Sequence, residues 1–259
     1  MQNENNTHIN RILVSLDFDD YGASFVEPLV SLAAQLKADL CGLFIENSDL
    51  QQVADLPFSR EITFPTAQIR QLNSDHISRH LKQQAETLRK MMREFSRLAN
   101  VACSFRTAKG PRIDSVLSEA YDFQLVLLLP EKFAASKIKR PAQLDEIINP
   151  TVLFYDDSRQ AKKTTHIIKS LANSGDLHQL KILTLDHASE ISAKQQFSST
   201  NIKIEFQHFG SYKLSNITSL IGGQKTGLLI LPLEKELINQ SKEIKKILDV
   251  LGCPLLLVR

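Results

Sequence analysis

Little in this chain announces a special chemistry. Cysteine is scarce, with three in 259 residues at Cys41, Cys103 and Cys253, an odd number without Cys-x-x-Cys spacing. That argues against a disulfide framework and a cysteine-based zinc site. The thiols read as small side chains buried beside apolar runs in a reducing compartment. Net charge is also low, +2 from 31 basic and 29 acidic residues, and no basic run resembles a DNA-binding arm. The overall field therefore favours neither nucleic acid nor a membrane surface. No apolar run approaches the roughly 20 residues of a membrane-spanning helix. Residues 1–10 are polar and lack the apolar centre of a signal peptide. The expectation is a soluble cytoplasmic protein. Hydrophobic residues, at 42%, suffice for a core, and the length allows one large or two ordinary domains.

What the chain does have is a short apolar run that recurs. Ile12-Leu13-Val14-Ser15-Leu16 stops at Asp17, and Val152-Leu153-Phe154-Tyr155 stops at Asp156-Asp157-Ser158. Such runs are typical of central strands in a parallel sheet covered on both faces. After the first, residues 21–36 place Phe25, Leu29, Leu32, Ala33 and Leu36 at helical spacing, with Pro28 tolerable in the first turns. Residues 38–45 form the next strand and close a right-handed βαβ unit. Residues 47–74 break the rhythm with Pro57, Phe58, Phe64 and Pro65. A stretch this long is functional or disordered, and its aromatic residues point to an ordered excursion or lid that packs on something. Residues 75–100 carry one apolar stripe, Leu81, Ala85, Leu88, Met92, Phe95 and Ala99, which predicts a long helix lying on the sheet. A strand at 101–107, a short helix at 112–121 and a strand at 125–129 follow. Residues 131–148 read as a polar linker and a helix.

The rhythm then repeats. Strands are predicted at 152–155, 180–185, 202–206, 228–231 and 255–258, with helices at 159–173, 188–196, 215–221 and 236–251. Ser158 reads as an N-cap and Gly252 as a left-handed helix terminator. This alternation predicts an α/β fold of two tandem doubly wound, mostly parallel sheets. The expected domains are 1–148, with an insertion at about 47–74 and a long helix at about 75–100, and 149–259. The first should have four strands and the second five. A strand within 131–148 would overturn that count.

Several stretches taken together resemble the universal stress protein family in its tandem form. They are Ile12-Leu13-Val14-Ser15-Leu16-Asp17, Ala38-Asp39-Leu40-Cys41-Gly42-Leu43-Phe44-Ile45, Lys109-Gly110 before a short helix, and Cys253-Pro254-Leu255-Leu256-Leu257-Val258-Arg259. Leu56-Pro57-Phe58-Ser59-Arg60-Glu61 is similar to an insertion in some proteobacterial members. The resemblance spans essentially the whole chain. It implies a flavodoxin-like sheet of order 3-2-1-4-5, with ligands bound beyond the strand carboxyl ends at the switch between first and fourth strands. In nucleotide-binding members the first-strand acid faces the nucleoside. Glycines after the fourth strand let backbone N–H groups approach the phosphates at a helix N-terminus. Asp17 and Asp156 stand at the acid positions and are the candidate ligand-binding residues. The glycines are missing from both copies. The first reads Pro130-Glu131-Lys132-Phe133-Ala134-Ala135-Ser136 and the second Pro232-Leu233-Glu234-Lys235-Glu236-Leu237-Ile238. Side chains there would block backbone approach, and Glu234 and Glu236 would repel a triphosphate.

Other constellations are weaker. Gly222-Gly223-Gln224-Lys225-Thr226-Gly227 lacks the Lys-Ser/Thr after its last glycine and runs from helix to strand, the reverse of a phosphate loop. Asp75, His76 and His80 could face one another at a helix start but have no evident third ligand, so no metal site is expected. No motif places a base beside Ser158, and no catalytic residue is expected. The basic run at 137–140 reads as a solvated linker. The preferred reading is a non-catalytic stress-response or regulatory protein. It would bind a protein partner, a second copy or a small ligand in the interdomain region, without a cofactor. The alternative is an ATP- or AMP-binding switch, or weak ATPase, using Asp17 or Asp156 with unusual phosphate contacts. A third reading makes the long helix and the 47–74 excursion a dimer interface.

Overall fold

In the computed structural model each short apolar run is a strand. The described residues are 11–16, 23–46, 48–63, 67–130, 143–209, 214–221, 226–234, 237 and 239–259. In chain order the first half comprises β1 (Arg11–Leu16), α1 (Ala23–Gln35), β2 (Asp39–Glu46), α2 (Ser48–Ala54), β3 (Arg60–Thr63), β4 (Gln68–Gln71), α3 (Ser74–Leu98), β5 (Cys103–Lys109), α4 (Arg112–Glu119) and β6 (Leu125–Leu128). There follow α5 (Leu144–Ile148), β7 (Thr151–Tyr155), α6 (Arg159–Asn173), β8 (Gln179–Thr184), α7 (His187–Phe197) and β9 (Lys203–His208). The chain continues through α8 (Leu214–Ile221), β10 (Leu228–Pro232), α9 (Ser241–Leu251) and β11 (Leu255–Val258).

The strands form one nine-stranded sheet in the order β5-β2-β1-β6-β11-β10-β7-β8-β9. Read inward from β9, the second set has the order 3-2-1-4-5, and the first set, read from β5, has 3-2-1-4. β11 occupies the place where a fifth strand of the first set would lie. It pairs in parallel with β10 and antiparallel with β6, setting Leu256 opposite Leu127 and Leu257 opposite Val126. Four strands and five were expected as two sheets, and here they join edge to edge. Because the seam is antiparallel, the carboxyl ends of the two sets point to opposite edges of the sheet.

Helices cover both faces, which is why the central strands are apolar throughout. The period-two alternation is strict in β1: Ile12, Val14 and Leu16 pack toward α1 and α3, while Leu13 packs with the cluster holding α4, α8 and α9. Each apolar cluster runs unbroken from the first set of strands to the second, so the core is shared. A fully buried Leu or Ile contributes roughly 1.5–3 kcal/mol. In α3 the stripe buries Leu81, Ala85, Leu88 and Met92 as its spacing predicts, but Ser96 rather than Phe95 continues it and Ala99 is exposed. Gly42 of β2 lies beneath Met92, whose Sδ would stand 2.5 Å from a Cβ there, so the missing side chain lets the helix settle onto the strand.

Some expectations fail for local reasons. The described residues of the 47–74 excursion form α2 and a small antiparallel β3–β4 sheet separate from the main one. Phe58, expected to pack, is 90% exposed; residues 47 and 64–66, with Phe64 and Pro65, lie outside the described residues. Cys41 and Cys253 are buried, but Cys103 is exposed because it opens β5, an edge strand. The helix expected at 236–251 is continuous only over Ser241–Leu251, because Gln240 lies outside helical geometry; residues 235, 236 and 238 lie outside the described residues. Residues 131–142 and 222–225 also lie outside the described residues, so of the 131–148 stretch only α5 is seen.

The turn into β7 is crowded. Asn149 Nδ2 donates to the carbonyls of Asp145 (2.8 Å) and Asp176 (2.6 Å), and its Oδ1 accepts the N–H groups of His178 (2.8 Å) and Gln179 (3.2 Å). Gly227 passes directly over this residue, and its own N–H donates to the Pro150 carbonyl at 2.8 Å.

Candidate functional site at the strand carboxyl ends

β7 ends in the two acids noted in the sequence. Asp156 is half-buried, and its Oδ1 accepts the Ser158 N–H at 3.0 Å, closing the turn that starts α6. Ser158 caps that helix, its Oγ accepting the Ala161 N–H at 3.1 Å. The next residue, Asp157, takes a left-handed conformation (φ 59°) and turns its carboxylate toward α7. Its Oδ1 accepts from Ser192 Oγ at 2.9 Å and from the Tyr155 hydroxyl at 3.3 Å, with Lys162 Nζ at 3.6 Å. The Ser192 bond chiefly holds this carboxyl below the usual carboxylate range, and burial pushes the Tyr155 phenol up.

A second group lies beyond β8 and β9. Asp186 caps α7 by accepting the Ser189 N–H at 2.7 Å, the main cause of its lowered pKa. The capped turn puts His187 and Glu190, three apart, on one side of the helix. The β8–β9 register sets His208 opposite Thr184, bringing it against the same turn. His208 Nε2 is 2.8 Å from Glu190 Oε2, and His187 Nδ1 is 3.8 Å from that oxygen. The other oxygen, Oε1, meets Lys194 Nζ at 2.5 Å, and this bond chiefly holds the Glu190 carboxyl low. Among the described residues, this trio is the His/Cys/Asp/Glu group close enough to share one metal ion. The sequence reading missed it. The His187-x-x-Glu190 spacing was visible, but His208 joins only through strand register. Asp75, His76 and His80 form no such group among the described residues.

At the other edge of the sheet, Asp17 lies outside the described residues. The described part of that switch point is apolar and tied: Ser15 Oγ accepts the Leu129 N–H at 3.4 Å between β1 and β6. The ends of β1 and β7 lie at opposite edges, so the two switch points form separate sites. After β10, where a phosphate loop would lie in the second set, Leu233 and Leu237 are buried in the apolar cluster, and the Leu233 N–H donates to the Val258 carbonyl at 2.7 Å. A polar cleft of about 450 Å³ opens elsewhere, between α1, the start of α5 and the turn before β8, with Glu27, Ser31, Gln143, Asp145 and Asp176 on its walls. No helix among the described residues is long and apolar enough to cross a membrane.

The lowered carboxyls predict an acid limit. Asp157, Asp186 and Glu190 contribute stability above their ordinary pKa near 4, and that contribution disappears as pH falls through their lower folded values. The thermal midpoint should therefore hold between about pH 7 and 5 and fall below about pH 4. Asp157→Asn should make the fall shallower, and an equally steep fall in that variant would count against the assignment.

No family model matches the chain, and no curated protein matches it in sequence. Solved structures do. A universal stress protein from Archaeoglobus fulgidus aligns over 98% of this chain and 97% of its own, at 11% identity, with a TM-score of 0.55. This chain has the fold of a universal stress protein. A putative universal stress protein from Pseudomonas aeruginosa aligns over 97% of this chain and 94% of its own, at 12% identity, but with a TM-score of 0.43. A CDPS from Staphylococcus haemolyticus reaches only 0.31, at 10% identity over 96% and 90% of the two chains. These looser likenesses carry no argument about chemistry. The universal stress protein fold accounts for the strand order of the second set and for the place of Asp156 at its switch point.

Proposed function

We propose that this is a non-catalytic, universal-stress-type protein that acts in stress response or regulation by binding a partner or a small ligand, and that it does not grip ATP in the usual mode. The observation that carries the reading is the burial of Leu233 and Leu237 after β10. A phosphate cradle needs backbone N–H groups open to solvent at a helix N-terminus, whereas Leu233 and Leu237 are turned into the core and the Leu233 N–H is taken by the Val258 carbonyl. Asp156 supports the same reading, because its carboxylate is engaged in closing its own turn. The cleft between α1 and the turn before β8 is the proposed ligand or partner site. Glu27, Asp145 and Asp176 give it an acidic wall suited to a basic group.

Calorimetric titration of the full chain with ATP and Mg²⁺ tests the proposal. The expected result is no saturable heat at micromolar nucleotide. Micromolar binding that is lost in Asp156→Ala would overturn it in favour of a nucleotide switch.

A further inference from the structure

We propose that His187, Glu190 and His208 form a binding site for a divalent cation of the zinc class, between the first turn of α7 and the end of β9. The proposal is independent of whether the protein binds nucleotide.

The donor set is the first reason. Two imidazoles and a carboxylate suit zinc and its neighbours, whereas magnesium and calcium require oxygen ligands. The geometry is the second. A tetrahedral zinc with ligands at about 2.0–2.1 Å has ligand edges of roughly 3.3 Å. The observed separations from Glu190 Oε2, 2.8 Å to His208 Nε2 and 3.8 Å to His187 Nδ1, bracket that edge, and all three ligand atoms lie within 4.8 Å of one another. Small side-chain rotations centre an ion among them without moving backbone.

The support around the ligands is the third reason. Metal-binding histidines usually have their second ring nitrogen held by a hydrogen-bonding partner. His208 Nδ1 lies 3.4 Å from Oγ1 of buried Thr184, leaving Nε2 to face the site. Lys194 holds Oε1 of Glu190 and leaves Oε2 toward the histidines, on a side chain only 12% exposed. Asp186 fixes the turn that carries two of the ligands, and its charge offsets the positive end of α7. His187 and His208 have side chains 77% and 56% exposed, so the ion has an entry path and an open fourth position for water or a side chain of a bound partner. A surface ion pair alone would explain His208 against Glu190. The i,i+3 spacing brings His187 to Glu190 as well, and what marks the site is that strand register and helix spacing together bring both imidazoles to one oxygen, Oε2. Lys194, paired with Oε1, repels a cation and weakens its binding.

Titration of the metal-free full chain with Zn²⁺ alone, followed by calorimetry at pH 7.5, tests the site. One ion per chain is expected, with binding weakening as pH is lowered, because metal-bound imidazole must be neutral. His208→Ala, Glu190→Gln and His187→Ala should each weaken it by about tenfold or more. Co²⁺ in place of Zn²⁺ should give visible absorption of low-coordinate character that His187→Ala abolishes. His187 is exposed, so that variant keeps the fold, and circular dichroism verifies this for all three. A 100-fold excess of Zn²⁺ over Kd should raise the thermal midpoint by roughly 5–10 °C. The proposal is overturned by the absence of saturable one-to-one binding. It is equally overturned by binding that survives His208→Ala and Glu190→Gln, or by binding lost instead in His76→Ala/His80→Ala.

Discussion

Leu256→Ala is expected to lower the stability of the whole chain by about 3–5 kcal/mol and to do so in a single transition. Leu256 is fully buried, lies opposite Leu127 across the seam, and is flanked on β10 by Ile230. Truncating it removes three carbons and leaves a cavity at the middle of a nine-stranded sheet, where neighbours from two directions would have to collapse to fill it. The apolar clusters run through β11 into both sets of strands, so the loss cannot be confined to one set. Urea denaturation followed by circular dichroism, with hydrogen exchange read separately at β1 and β8, measures this. Both strands should lose protection at the same lowered midpoint. Loss at β8 alone would mean that the halves unfold independently.

Gly227→Ala should cost about 3 kcal/mol although it adds one methyl group. The new Cβ would lie 2.6–2.7 Å from the backbone N, C and O of Asn149. Backbone cannot yield as a side-chain tip does, and Asn149 is held by its four side-chain hydrogen bonds to α5 and the turn before β8. Either those bonds break or β10 moves away from β7. Gly42→Ala is the matched comparison, because its Cβ meets the flexible thioether of Met92 and the cost should stay near 1 kcal/mol. Equal losses in the two variants, measured by urea midpoints, would refute the difference drawn between backbone and side-chain contact.

The parts of the fold legible in sequence were those written in local periodicity. Central strands announced themselves as apolar runs, helix α6 opens after its cap Ser158, and Gly252 ends α9 at φ 59°. The difference between four strands and five was also readable. Its resolution was not, because β6 and β11 look like any buried strands and nothing local states that they pair antiparallel. Edge positions were invisible for the same reason, so Cys103 looked buried until the strand order placed it at a rim. Phe58 misled because an aromatic residue usually implies a packing partner within the chain, and here it stands out in solvent. The candidate metal ligands illustrate the same limit. Two lie within one helical turn, and the third arrives only through the pairing of Thr184 with His208.

The central place of β11 also has a consequence in time. β6 is made roughly 130 residues before the strand that covers its second edge, which at about 5–20 residues per second is a delay on the order of ten seconds. Through that interval the nascent chain carries an apolar, unpaired strand able to add to any other exposed edge. Synthesis rate, and whatever shields nascent chains, should therefore govern the yield of folded protein more strongly than equilibrium stability does.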